Sequence, residues 1–259
     1  MTIPDHEHHV RLALFHAELD TAYGVRNGFA VSLRLPYDVK DQHVRYTTLD
    51  GQPFIPPYGD IHHRTETLSG KSDGDLLVLW APPLAGTSHW RFGFGTTVPL
   101  GHTVPDPVLL GLEGKKHEHL QFGNGVYAPE AEVAWSRPVR SATASALLQA
   151  TVPLTTNEHG FRAPKNFRWT AGPSFSIGRA TAGISIAGQY QTIGRWHGAL
   201  DEGTGFSNGG LRLQLSYPLL GATVAPSVYR ELYSHGLDTA EHETFSQGTT
   251  IALTIQRVF

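Results

Sequence analysis

The chain has 259 residues, 40% hydrophobic and 17% charged, with 28 glycines, 17 prolines and no cysteine. It is too apolar for disorder and too glycine-rich for a helical bundle, and without cysteine it has neither a disulfide framework nor a thiolate metal site. A formal charge of −3 provides no basic field to gather phosphates, which argues against nucleic acid as a partner.

No apolar run reaches the roughly 20 residues of a membrane-spanning helix. Transmembrane barrels escape that test, because their strands alternate lipid-facing and lumen-facing side chains and average hydropathy stays modest. A barrel of about twelve strands, at roughly 20 residues per strand and connection, would use the whole length. A single domain over residues 1–259 is therefore expected, with 1–9 as a flexible N-terminal segment. Met1 to Val10 lacks the basic and apolar character of an export leader, so the sequence reads as a mature form.

Period-2 alternation recurs from one segment to the next, whereas helical periodicity is hard to find. After a weak segment near 10–22, Phe29, Val31, Leu33, Leu35 and Tyr37 alternate with Ala30, Ser32, Arg34 and Pro36. A weak segment at 75–82 precedes Trp90, Phe92, Phe94, Thr96 and Val98, which alternate with Arg91, Gly93, Gly95 and Thr97. Tyr127, Pro129, Ala131, Val133 and Trp135 oppose Glu130, Glu132 and Ala134; 142–153 follows. Phe167, Trp169, Ala171, Phe175 and Ile177 then oppose Arg168, Thr170, Ser174 and Ser176, before a weak segment at 183–195. The clearest set is Leu211, Leu213, Leu215 and Tyr217 against Arg212, Gln214 and Ser216; segments at 222–233 and 247–259 complete the series.

That makes about eleven strands, where bacterial single-chain barrels have an even number. Twelve are expected, the missing one lying within Asp38 to Asp73 or ahead of His6 to Tyr23. Connections alternate in length. Short turns fall at Gly24–Gly28, Pro82–Ser88, Arg137–Ser141, Gly178–Gly183 and Leu219–Ala222. Long polar loops fall at Asp38–Asp73, Gly101–His117, Thr155–Asn166, His197–Gly209 and Ser234–Ser246. Short turns on one rim and long loops on the other fit a transmembrane antiparallel up-and-down β-barrel in the bacterial outer membrane, with short periplasmic turns and long extracellular loops.

The alternative is a soluble β-sandwich or lipocalin-like barrel that binds a ligand. Two features favour the membrane form. Phe29, Tyr37, Trp90, Trp135, Phe167 and Tyr217 lie near segment ends, where an interfacial girdle belongs. The faces opposite the apolar stripes carry Arg34, Arg91, Glu130, Glu132, Arg168 and Arg212, costly inside a small soluble barrel unless paired but acceptable in a wet lumen. These six residues are the expected selectivity element for a small solute, and either line a channel or pair across the lumen and plug it.

The last segment places Thr249, Ile251, Leu253, Ile255, Arg257 and Phe259 on one face and ends on an aromatic. This resembles the terminal signature by which barrel-assembly machinery recognises outer-membrane proteins; Arg257 stands where a hydrophobic residue is usual. The run AYGVRNGFAVSLRLPY at 22–37 resembles the strand, periplasmic turn and strand of the transporter-like outer-membrane family of aromatic-degradation clusters, the MetA-pathway phenol-degradation family. YGDIHH, SGKSDGDLLVLW, FGFGTTVPLG and FGNGVYAPEAEVAWSRPV fit the same style, so the resemblance spans residues 10–220 loosely. It implies a barrel embedded in lipid and lipopolysaccharide with a transport role and unknown cargo.

Fifteen histidines concentrate outside the apolar stripes. His6, His8 and His9, and His117 with His119, place imidazoles on extended chain beside Asp5, Glu7 and Glu118, a pattern that suits Zn or Cu, though exposed loop histidines give the same pattern without metal. An outer-membrane lipid hydrolase would need a serine, a histidine and a carboxylate or amide brought together; Ser234, His235 and Asp238, close together in one loop, or Ser207, Asn208 and His197, are candidate groupings.

Overall fold

β-branched and aromatic residues alternating with small or polar ones favour extended chain, and glycine-rich turns fold it back on itself. The computed structural model describes residues 5–57, 59, 61, 64–118, 120–237 and 246–259. It is all-β and antiparallel, with eleven long strands in one sheet. These are β1 (His6–Gly24), β2 (Phe29–Thr48), β5 (Gly74–Trp80), β6 (His89–Val98), β7 (Pro129–Val139), β8 (Ala142–Thr151), β10 (Asn166–Ile177), β11 (Ala180–Gln191), β14 (Phe206–Leu219), β15 (Ala222–Gly236) and β16 (Thr249–Gln256), and each pairs with the next in this order. They match the eleven alternating segments of the sequence.

Two short strands, β3 (Pro53–Phe54) and β4 (Glu66–Lys71), also pair with β2. β4 covers its far half, Tyr37 opposite Lys71, and β5 its near half, Arg34 opposite Asp75. The two registers differ by one residue, so β4 and β5 are one strand interrupted by a bulge at Ser72–Asp73. Asp38 to Asp73 is therefore not one long loop: it prolongs β2 to Thr48 and returns as β4, and among the described residues it hides no twelfth position in the sheet. Residues 6–9, expected as a flexible extension, belong to β1, paired with Arg45 to Thr48.

All short connections lie on one rim. Leu220 (φ 51°) and Gly221 (φ 77°) are both left-handed, the combination of a type I′ turn whose twist matches its flanking strands. The connections on the other rim are long and folded. Residues 99–128 bury Val104, Phe122, Val126 and Ala128, and hold the one described helix, α1 (Pro107–Leu112), capped by the Asp106 carboxylate, which accepts the Val108 and Leu109 amides at 2.8 and 3.3 Å. β9 (Phe161–Arg162), β12 (Gly194–Trp196) and β13 (Ala199–Asp201) form a small separate sheet around Phe161, Ala163 and Trp196. Among the described residues no helix is long and apolar enough to cross a membrane.

The main sheet has its burial inverted. Leu211, Leu213, Leu215 and Tyr217 are 37–49% exposed, while Arg212, Gln214 and Ser216 between them are partly buried. β2 repeats this, with Phe29, Val31, Leu33, Leu35 and Tyr37 outward and Ser32 and Arg34 inward. On the outward face near the short-turn rim, aromatic rings run from strand to strand: Phe29 on Trp80 at 6.0 Å, Trp80 on Phe92 at 5.9 Å, Phe92 on Trp90 at 6.1 Å, Trp90 on Trp135 at 6.4 Å.

β1 and β16 are the sheet's edges, and both are exposed along nearly their whole length. With eleven strands in antiparallel order, they run in the same direction. β16 ends at Gln256, so Arg257 and Phe259, expected on the strand's face, lie beyond it, the guanidinium 5.0 Å from the Phe259 ring.

Candidate functional site

Alternation sends Arg34, Arg91, Glu130 and Glu132 to the inward face, and the sheet's curl brings them together. Arg34 on β2 and Glu132 on β7 are three strands apart, about 14 Å across a flat sheet. Yet Arg34 Nη2 donates to Glu132 Oε2 at 2.9 Å. Glu132, 1% exposed, also accepts from Arg91 Nη2 at 2.7 Å and Gln149 Nε2 at 2.9 Å. Such a carboxylate is held by charge-assisted bonds on both oxygens. Space for it comes from β6: Gly93 and Gly95 lie opposite Glu132 and Glu130, and a Cβ on Gly95 would sit 1.9 Å from the Leu76 carbonyl oxygen.

Arg34 is shared. Glu130 Oε1 lies 3.5 Å from it, Asp75 3.8 Å and Asp20 3.9 Å. Arg168, on β10, lies across the concave face, close enough to interact electrostatically with Glu18, Asp75 and Glu130. Arg212 stands apart, donating to Ser227 Oγ at 3.2 Å. Four of the six expected lumen residues thus form one cluster, Arg168 faces it, and Arg212 does not join. The charges in this cluster pair with one another.

Above the cluster, toward the long-loop rim, is a cavity of about 1120 Å³. Its corner is set by Asp73 in the β4–β5 bulge, whose carboxylate accepts the Gly101 amide at 3.1 Å and the Asn124 amide at 2.6 Å. Gly123 leaves room for it: a Cβ there would meet Asp73 Oδ1 at 2.3 Å. Three sequence fragments, SGKSDGD, VPLG and FGNG, therefore converge on one corner. Opposite lies the small β9–β12–β13 sheet. Its Asp201 carboxyl is pushed up from the usual 3.8 to about 6, chiefly by burial and also by nearby Asp106, against the opposing pull of the Trp196 indole hydrogen bond.

The carboxylates of this cavity escaped the sequence reading. Asp73, Asp106, Asp201 and Glu202 lie in connections or very short strands, where alternation gives no signal; Asp75, inward on β5 opposite Arg34, was within reach of the same alternation that found Arg34.

The histidines separate. His6 and His8 share a face of β1, their Nε2 atoms 3.0 Å apart; His9 points the other way, bonded to Thr47 Oγ1 at 2.8 Å. His117 is buried elsewhere, its Nδ1 2.9 Å from the Lys115 carbonyl. His119, with His62, His63 and His242, lies outside the described residues. Among the described residues no three His, Asp or Glu side chains are grouped to hold a metal. Ser234 and His235 are successive residues of β15 and so face opposite sides of the sheet, and Asp238 is outside the described residues. Asn208 bonds Glu231 and Gln247, while His197 lies 3.7 Å from Asp106.

No family model matches the chain, and no curated protein matches it.

Proposed function

We propose that this chain is an outer-membrane β-barrel that binds or passes a small solute, with the charged lumen cluster as its selectivity element. The observation that carries the reading is the inverted burial along the long strands: apolar side chains cover the outward face while charged and polar ones, Glu130 and Glu132 among them, are buried on the inward face. In water such an exposed apolar belt would drive aggregation; in a bilayer it is the surface lipid requires. The aromatic row at the short-turn rim supports an interface at that level. The length asymmetry of the rims supports an orientation with the short turns toward the periplasm and the folded loops outside, among lipopolysaccharide. Ile251, Leu253 and Ile255 on the outward face of β16, followed by Phe259, support insertion by the barrel-assembly machinery. The strand–turn–strand run at 22–37 supports membership in the MetA-pathway phenol-degradation family.

A closed barrel of even strand number needs one more strand antiparallel to both β1 and β16, since these two run the same way. That strand would run from the short-turn rim to the long-loop rim.

The test is reconstitution. Purified protein inserted into a planar bilayer or liposomes is expected to conduct ions or admit small solutes, weakly because the cluster is paired. No conductance together with no solute uptake or binding would end the solute-handling reading.

A further inference from the structure

We propose that His6 and His8, at the end of β1 farthest from the short turn, chelate a Cu(II) ion whose remaining positions are filled by water. Their Nε2 atoms lie 3.0 Å apart. With metal–nitrogen bonds of about 2.0–2.1 Å, adjacent corners of a square-planar site are about 2.9 Å apart and those of a tetrahedral site about 3.4 Å. The pair is therefore spaced for the square-planar or tetragonal geometry of Cu(II), which also binds nitrogen donors most tightly among the divalent first-row metals. The chain has no cysteine, so no thiolate competes for the ion.

At this separation one imidazole donates its Nε2 proton to the other. The ion takes the place of that proton once the donor ring carries its own on Nδ1. Both rings then remain neutral, and each offers an Nε2 lone pair, as ligation requires.

Two histidines flanking one residue make a weak chelate on a flexible chain, because backbone and rotamers must be ordered as the ion binds. Here the fold has already ordered them. His6 and His8 are paired in register with Thr48 and Tyr46 of β2, and alternation puts both imidazoles on one face while His9, bonded to Thr47, takes the other. The His8 ring stands edge-on to Tyr46 at 4.9 Å, and the His6 ring packs against Phe54 of β3 at 4.9 Å. Tyr46 is buried and pairs with Phe54, so the two imidazoles rest on a fixed aromatic support, as outer partners orient metal ligands elsewhere. His8 stays exposed, which leaves the ion a way in and room for its waters. The chelate needs only this paired end of β1 and β2, so it stands or falls separately from membrane insertion.

Calorimetry and electron paramagnetic resonance on the detergent-solubilised full chain, titrated with copper(II) chloride, test this. The tightest site is expected to hold one ion per chain at micromolar copper, with an axial spectrum split by two nitrogen nuclei. H6Q and H8Q are each expected to weaken that site by at least about tenfold, because the remaining imidazole loses its chelate partner. H9Q, on the opposite face, is expected to change the affinity by less than about twofold. Undiminished binding by H6Q or H8Q, an equal loss in H9Q, coupling to fewer than two nitrogens, or no saturable binding at micromolar copper each overturns the proposal. The spectrum of the unaltered chain decides the matter if a variant folds poorly.

Discussion

Glu132 anchors the charged cluster on the inward face, because three donors from three strands end on its two oxygens. Replacing it with alanine leaves Arg34 and Arg91 short of their main partner, and E132A is expected to cost about 3 kcal/mol in urea unfolding from lipid or micelles. A loss within about 0.5 kcal/mol would mean that water on the inward face solvates both guanidinium groups. Asp201 gives a pH signature. Its folded-state pKa of about 6 exceeds its ordinary 3.8, so the folded rim binds the extra proton and is destabilised as pH rises from the lower value through the higher. Amide exchange at β12 and β13 should accelerate over that window, and D201N should abolish the change. At this scale the sequence was half legible: alternation put Arg34, Arg91, Glu130 and Glu132 on the inner face, but their partnership was not. Arg34 and Glu132 are 98 residues apart and meet only because the sheet curls.

Among elements, the long strands were read well because each alternates over many residues, and a one-residue slip would put its apolar set on the wrong face. β4, β9, β12 and β13 were missed because two to six residues carry too little period to recognise. The bulge at Ser72–Asp73 hid the continuity of β4 with β5, and the SGKSDGD, VPLG and FGNG fragments interlock through Asp73. Two strand substitutions discriminate sharply. Leu213, outward in mid-β14 and 49% exposed, should cost about 2–4 kcal/mol as L213R if it faces lipid, measured by folding into vesicles; at an ordinary aqueous surface the change would be within about 0.5 kcal/mol. G95A should weaken β5–β6 pairing by about 1–3 kcal/mol, since its Cβ has no space, while G183A, with nothing closer than 3.9 Å, should be neutral in the same assay.

For the whole molecule, the sheet presents an apolar exterior, a charged interior and one densely folded rim. That arrangement is what the proposed membrane barrel requires, with lipid rather than water covering the outside. Strand parity adds that β1 and β16 are edges in want of a partner, which an open, exposed pair of strands would otherwise offer to a neighbouring chain. The central claim is that lipid covers the apolar face, and the most direct measurement is the protein's behaviour with and without detergent. The chain is expected to need detergent or lipid to stay dispersed, and to migrate faster on a gel unheated than after boiling. A chain that stays monodisperse in buffer alone, with no heat-dependent shift, would contradict it.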